Sequence, residues 1–244
     1  MSDTTRHQLQ PDLLGPHSQW LPQLPASLYQ RALAAAQPIR LAAGQTLFGQ
    51  GEPARSVYLL AAGQVYLFQL TRAGQQLGFD LVLPIRDLGL IAAVPDATYP
   101  LSAQASQPTQ LLAWPHATIQ QLCAAHPPLA LHLMLLAHAC SQQLARRTSE
   151  LATLRVEQRI ARVLVQLAVQ LPAPPAPALP LVLPVTRQQL AELTPTTPAT
   201  ISRTLGAWAT DGLLTAHRTT LALHDLGALH ARAGIGPQGP SVYL

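Results

Sequence analysis

An abrupt change of texture at His126-Pro127-Pro128 restricts this chain more than any other feature. Before that point, short apolar runs alternate with glycine. After it, residues 129–154 contain neither glycine nor proline. Such a run reads as one long helix with prolines at its start, where a missing N–H leaves no hydrogen bond unmade. The earlier runs, Leu47-Phe48, Val57-Tyr58-Leu59-Leu60 and Val65-Tyr66-Leu67-Phe68, lie among Gly44, Gly49, Gly51 and Gly63. Strands this short at near-regular spacing predict an antiparallel barrel or jelly roll. Further strands are expected at 78–83, 99–105 and 110–114, the first after a turn at Arg72-Ala73-Gly74.

Within the long helix, Leu129, Leu133, Leu136 and Cys140 step by four, three and four, the spacing of a coiled-coil seam. Two readings fit that seam. Pairing with the same helix of a second copy is favoured over packing on the helix's own domain. A second helix is expected at 156–171, with Ile160, Val163, Leu164 and Leu167 on one face. The proline-rich piece at 172–177 ends it as a stiff loop, ahead of a strand at 181–185. Residues 1–27 carry prolines and glutamines without a period and read as a loose extension. The expected organisation is α+β: an extension 1–27, an antiparallel β-roll 28–125, a dimerisation helix 126–154 and a C-terminal domain 155–244.

Composition leaves room for a core and for few other chemistries. The 244 residues are 48% hydrophobic and 11% charged, which argues against disorder. Two cysteines exclude a disulfide framework and any four-cysteine zinc or iron–sulfur site. All fifteen cationic side chains are arginine. Residues 1–145 hold six of them against six acids, and residues 146–244 hold nine against five. The net charge of +4 therefore lies in the C-terminal part, which suits contact with a polyanion. No Asp, Glu or Arg occurs at 98–145, but the best candidate span, 128–145, contains His132, His138, Gln142 and Gln143. It is also shorter than the ~20 apolar residues a bilayer requires. The first ten residues are polar and lack the apolar core of a signal peptide. A soluble cytoplasmic protein with no membrane partner is expected.

The stretch 186–214 is the most informative. Thr186 caps a short helix through Leu193, Thr194-Pro195-Thr196-Thr197 makes a turn, and Thr197-Pro198 opens a second helix that stops before Gly212. Small Ala191 would face Ile201 across the turn, which describes a helix-turn-helix. Leu213-Leu214 and Thr220-Leu221-Ala222-Leu223 flank a turn at His217-Arg218-Thr219, a β-hairpin wing.

The order of β-roll, long helix and winged helix resembles the family of the cyclic-AMP receptor protein and the fumarate–nitrate reductase regulator. The matching motifs are Gly44-x-x-Leu47-Phe48-x-x-Gly51, Tyr58-x-x-x-x-Gly63-x-Val65, Thr186-Arg187-Gln188 and Thr200-Ile201-Ser202-Arg203-x-Leu205-Gly206. The resemblance covers about residues 38–230 and implies a homodimeric DNA-binding transcription regulator that influences RNA polymerase. It places the second helix in the major groove, with Pro198, Ala199, Thr200, Ser202 and Arg203 toward the bases and Arg203 reading guanine with two donors. Arg187, Gln188, Thr197 and His217 match positions that hold the phosphate backbone. Two departures stand out. Ala199 replaces an acidic residue that contacts base edges, and Pro195 replaces the turn glycine. Proline cannot take positive φ, so the turn must use another geometry.

The resemblance also carries an effector question. Relatives that bind cyclic nucleotides use Gly-Glu for ribose and Arg-Ser for phosphate. Here the loop reads Asp87-Leu88-Gly89-Leu90, and the second step aligns with Leu101-Ser102, without the arginine. Leu144 and Ala145 stand where relatives place hydroxyls toward the base, with Thr148-Ser149 one turn later. Cyclic AMP is not expected to bind, and no cofactor is expected. An oxygen-sensing iron–sulfur cluster is excluded because the first cysteine is Cys123. Haem or another apolar effector stays open, since His116, His126, His132 and His138 lie in the uncharged stretch but no spacing marks an axial ligand. The rival function is an effector sensor whose output is a protein contact, with DNA binding weakened through Pro195 and Ala199. No catalytic or metal-ligand constellation supports an enzyme.

Overall fold

Short strands with glycine at their turns fold the first part of the chain into two antiparallel four-stranded sheets. The computed structural model describes residues 18–74, 76–171 and 179–235. The proline-rich piece at 172–177 and residues 1–17 of the N-terminal extension lie outside them. The chain divides into two compact units, one comprising residues up to Leu70 with Leu81–Gln143, the other Thr71–Asp80 with residues from Leu144 onward.

In the first unit, one sheet runs β1 (Gln37–Leu41), β8 (Thr109–Pro115), β3 (Ser56–Ala62), β6 (Arg86–Leu88). The other runs β2 (Thr46–Phe48), β7 (Ser102–Ala105), β4 (Val65–Leu70), and its order ends on β5 (Gln76–Val82), of which Leu81 and Val82 fall in this unit. Strand β3 is buried at five consecutive positions instead of alternating. One side meets the opposite sheet, where Phe48 stacks on Tyr58 at 5.8 Å between ring centroids. The other side is covered by helix. Gly63 makes the β3–β4 turn possible: its φ is +95°, and a Cβ there would meet the Thr109 hydroxyl at 2.5 Å and the Pro108 carbonyl oxygen at 2.6 Å. Only glycine fits both constraints.

Residues 18–27 are not a loose extension. A short 3-10 turn at Leu21–Gln23 leads into helix α1 (Ala26–Ala35), and Trp20 and Leu21 are fully buried. Trp20 meets Trp114 edge-on at 5.1 Å, and the Trp114 indole N–H donates to the Ala32 carbonyl at 2.7 Å. Sequence periodicity misses this because Pro22 and Pro25 interrupt the segment, so Trp20, Leu21 and Leu24, although at helical spacing, have no continuous helix to mark. Helix α2 (His116–Ala125) was likewise not expected; it follows β8 after Pro115, whose fixed φ suits the helix start.

The long helix α3 runs from Pro127 to Thr153. Leu129 and Leu133 are fully buried, and Leu136 is 7% exposed, all within the core of the first unit beside Trp20 and Trp114. Packing on their own domain claims these three, while Leu131, Met134 and Leu135 are 63%, 62% and 58% exposed. The seam spacing could not separate the two faces, because residues 129–136 are apolar almost all round. Cys140 is exposed.

In the second unit, α4 (Val156–Gln170) buries Ile160, Val163, Leu164 and Leu167 on one face. A three-stranded antiparallel sheet, ordered β10 (Leu214–Ala216), β11 (Leu221–Leu223), β9 (Leu181–Leu183), adjoins α5 (Arg187–Leu193), α6 (Pro198–Thr210) and α7 (Leu226–Arg232). Among the described residues, no helix is long and apolar enough to cross a membrane.

Candidate nucleic-acid interface

Two threonine caps and a buried turn build the helix-turn-helix. The Thr186 hydroxyl accepts from the Gln189 N–H at 3.1 Å, starting α5. The Thr197 hydroxyl accepts from the Thr200 N–H at 3.2 Å, and Pro198 occupies the first position of α6. Each cap is worth ~1 kcal/mol, because it satisfies an N–H that the helix itself cannot. Ala191 and Ile201 are both buried between the helices, and the Thr196 N–H donates to the Ala191 carbonyl at 3.0 Å to close the turn.

The turn carries no residue with positive φ. Thr194 takes φ −115° and ψ 24°, and among the described residues the positive-φ residues other than glycine are Ile85 and Asp96, neither in this turn. Fully buried Thr194 donates its hydroxyl to the Leu190 carbonyl at 2.6 Å. Its own carbonyl accepts two N–H groups from Arg159, at 3.3 and 3.2 Å. Pro195 is therefore accommodated by a different backbone path, stabilised from α4.

On the outer side of α6, Pro198, Ala199, Ser202 and Arg203 are exposed and Thr200 is half-buried. Arg203 reaches back only weakly, to the Thr200 hydroxyl at 3.5 Å, so its guanidinium stays available. The opposite side of the helix, Ile201, Thr204, Leu205 and Trp208, is buried. Ala199 leaves an apolar gap at the start of the exposed row, where a carboxylate would otherwise oppose the positive helix N-terminus.

The structure brings Arg187 and His217 together: the Arg187 guanidinium donates to the His217 carbonyl at 3.3 Å, tying the start of α5 to the wing. Gln188 is exposed but donates to Glu192 at 2.8 Å, and Thr197 shares a hydrogen bond with the Thr200 hydroxyl at 3.0 Å. The tight turn between β10 and β11, closed by the His217 N–H on the Thr220 carbonyl at 2.9 Å, presents Arg218 beside His217. Arg218 is exposed and is a further cation for a polyanion. The sequence reading did not name it as a contact; its place in the expected wing turn is the signal that could have found it. Arg232 is occupied elsewhere, bonding Asp211 at 2.6 Å with its guanidinium over the Trp208 ring.

The β-roll interior has different chemistry. Leu88 and Leu90 are each 5% exposed and fill the loop that was expected to face an effector. The Ser102 hydroxyl is buried and accepts the Gln50 N–H at 3.0 Å. Among the described residues, the buried polar side chains of this unit are Ser18, Gln64, Ser102 and Thr109, none of them cationic. Phe48 stacks on Tyr99 at 3.9 Å, and the Tyr99 hydroxyl donates to the Ser56 carbonyl at 2.8 Å; burial pushes this phenol well above its usual range. Three of the four histidines considered for haem have local partners: His116 the Ala92 carbonyl, His132 the Gln19 carbonyl and His138 the Gln142 side chain. Among the described residues, no three His, Cys, Asp or Glu side chains group as metal ligands. Burial raises the pKa of the Cys123 thiol, which disfavours its thiolate.

Comparison with known proteins agrees with this division. Residues 38–126 match the cyclic nucleotide-binding domain, and residues 158–232 match the Crp-like helix-turn-helix domain. The transcriptional activator protein anr of Pseudomonas aeruginosa is 28% identical over 191 residues, covering 78% of each chain. The cyclic AMP receptor protein of Thermus thermophilus is 28% identical over 193 residues, covering 76% of this chain and 83% of its own. Among solved structures, FixK2 from Bradyrhizobium japonicum shares the fold with a TM-score of 0.71 at 19% identity, covering 80% of this chain and 96% of its own. TTHA1359, a CRP/FNR-family regulator from Thermus thermophilus, has a TM-score of 0.60 at 26% identity and covers 81% and 98%.

Proposed function

The chain belongs to the cyclic-AMP receptor protein and fumarate–nitrate reductase regulator family of DNA-binding transcription regulators, and on that premise we propose that it acts as a cytoplasmic homodimer on a roughly palindromic promoter site. The observation that carries this reading is the exposed row on α6, with Arg203 unpaired by any acid. In the major groove, Arg203 reads a guanine through two donors, with Thr200, Ser202, Ala199 and Pro198 beside it. Arg187, Gln188, Thr197 and His217, joined by Arg218, hold phosphates and set the register.

A twofold pair presents two recognition helices, so half-sites lie about one helical turn apart. Leu131, Met134 and Leu135 support pairing through the outer side of α3, because three large apolar side chains on one surface are costly in water. Bound near a promoter, such a dimer influences RNA polymerase. The β-roll works without cyclic AMP. A buried cyclic phosphate needs a bidentate cation, and the interior of this unit offers leucine, aromatic rings and committed hydroxyls instead. The rival reading, a sensor with weakened DNA binding, loses much of its footing because the turn at Pro195 is built without positive φ.

Selection of binding sites from random duplex DNA, with purified protein and no added ligand, tests the proposal. Enrichment of a twofold-symmetric site is expected. Enrichment of asymmetric sites, or none even when the selection is repeated with haem and with cell extract, contradicts it.

A further inference from the structure

The backbone of Gln19 is gripped on both sides. Its N–H donates to the Asp87 carboxyl at 2.6 Å, and its carbonyl accepts from Nε2 of His132 at 2.6 Å. The Ser18 hydroxyl donates to both Asp87 oxygens, at 3.2 and 3.3 Å, and itself accepts the Leu21 N–H at 3.3 Å. Three stretches of chain, 68 and 113 residues apart, thus meet at one residue, through the two successive peptides that flank it. A carbonyl only accepts, so Nε2 of His132 carries a proton, which either the neutral Nε2–H tautomer or the imidazolium supplies. That grip needs no change of charge. The Asp87 grip is different.

We propose that the Asp87 carboxyl is a proton-operated latch, fastening residues 18–24 onto β6 and α3 and tightening on acidification. The latched segment is the wedge of Trp20, Leu21 and Leu24, all buried in the core of this unit. Few groups face the carboxyl. The N-terminal segment supplies the Ser18 hydroxyl, the Gln19 N–H and the Trp20 indole, whose N–H lies nearby without reaching hydrogen-bond geometry. Its own strand supplies Arg86, β3 places Leu59 directly opposite, and α3 contributes His132 on the carbonyl of the same residue, Gln19.

When the carboxyl is protonated, its O–H donates to the Ser18 oxygen while the other oxygen keeps the Gln19 N–H. No charge is then enclosed. When it is ionised, both bonds persist, but a carboxylate of a half-buried residue sits against the buried Ser18, with Arg86 as its nearest opposing charge. Burial outweighs Arg86 and the donors and pushes the carboxyl from 3.8 up to about 7. Opening the segment returns the group to water and to its ordinary range, so opening is coupled to proton release. A folded-state value above the open-state value means the latch is strongest below about pH 4, weakens as pH rises toward about 7 and is constant beyond. This account stands on the first unit alone and is independent of DNA binding.

Amide hydrogen exchange of residues 18–24 in the full chain, corrected for the intrinsic pH dependence of exchange, tests the latch. The opening equilibrium of the wild type is expected to rise by up to about tenfold per pH unit between about pH 5 and 7 and then level off. Asp87→Asn, which keeps one acceptor and supplies a donor without charge, should show no such slope. A flat wild-type profile, or an equal slope in Asp87→Asn, overturns the proposal. Should Asp87→Asn fail to fold, a carboxyl-carbon NMR titration of the wild type decides. A midpoint near 7 supports the latch, and one in the ordinary carboxylate range overturns it.

Discussion

Arg159 on α4 donates two N–H groups to the single carbonyl of Thr194, the residue that ends the first helix of the helix-turn-helix. The contact closes a turn that lacks glycine, and it joins the DNA-facing pair to the helix behind it. Arg159→Ala leaves a carbonyl of a fully buried residue short of both donors. Hydrogen bonds from charged donors contribute ~1.5–3 kcal/mol, so a loss of that order is expected. A denaturant midpoint for the second unit reads it, and Arg159→Lys should recover only part, since one ammonium cannot reproduce the fork.

Pro195 leads to a prediction of opposite character. Its backbone path needs no positive φ, so the ring restricts the unfolded chain at no native cost. Pro195→Gly should lower stability by ~0.5–1 kcal/mol, through the unfolded state, while DNA affinity stays unchanged. A variant with improved DNA affinity would mean that proline distorts the recognition helix.

The two sides of α3 give different outcomes. Leu133 is fully buried in its own unit, so Leu133→Ala should cost ~2–5 kcal/mol of stability and leave the mass in solution unchanged at temperatures where the variant is folded. Leu135 is 58% exposed, so Leu135→Arg should leave the fold intact and convert dimer to monomer in light scattering. An unchanged mass for Leu135→Arg would remove this surface from the proposed dimer.

Much of this architecture was legible from the sequence, for identifiable reasons. Glycines at tight turns and a long run free of glycine and proline mark the β-roll and α3. Hydroxyl caps at Thr186 and Thr197, with Pro198 behind the second, mark the helix-turn-helix. The docked N-terminal segment was not legible. Pro22 and Pro25 break the stretch that holds Trp20 and Leu21, and their burial depends on Trp114, distant in sequence. The partners of Leu129, Leu133 and Leu136 were equally hidden, because spacing shows that a helix has an apolar side but not what covers it. The path of the turn at Pro195 depends on Arg159, a tertiary contact that no local motif encodes.

Phosphate contacts and base contacts are separable by salt. Arg187→Ala and Arg218→Ala should each lower the slope of log affinity against log salt by ~1 and weaken binding evenly across sequences. A loss confined to one base position would place either side chain in the groove instead.

The most direct test of the central claim is a cycle of affinities for an enriched duplex and for the same duplex with the candidate guanine replaced, using wild type and Arg203→Ala. Wild type should prefer the guanine by ~1–3 kcal/mol per half-site, and Arg203→Ala should bind both duplexes alike. If Arg203→Ala discriminates as well as wild type, α6 does not read DNA through Arg203 and the account is contradicted.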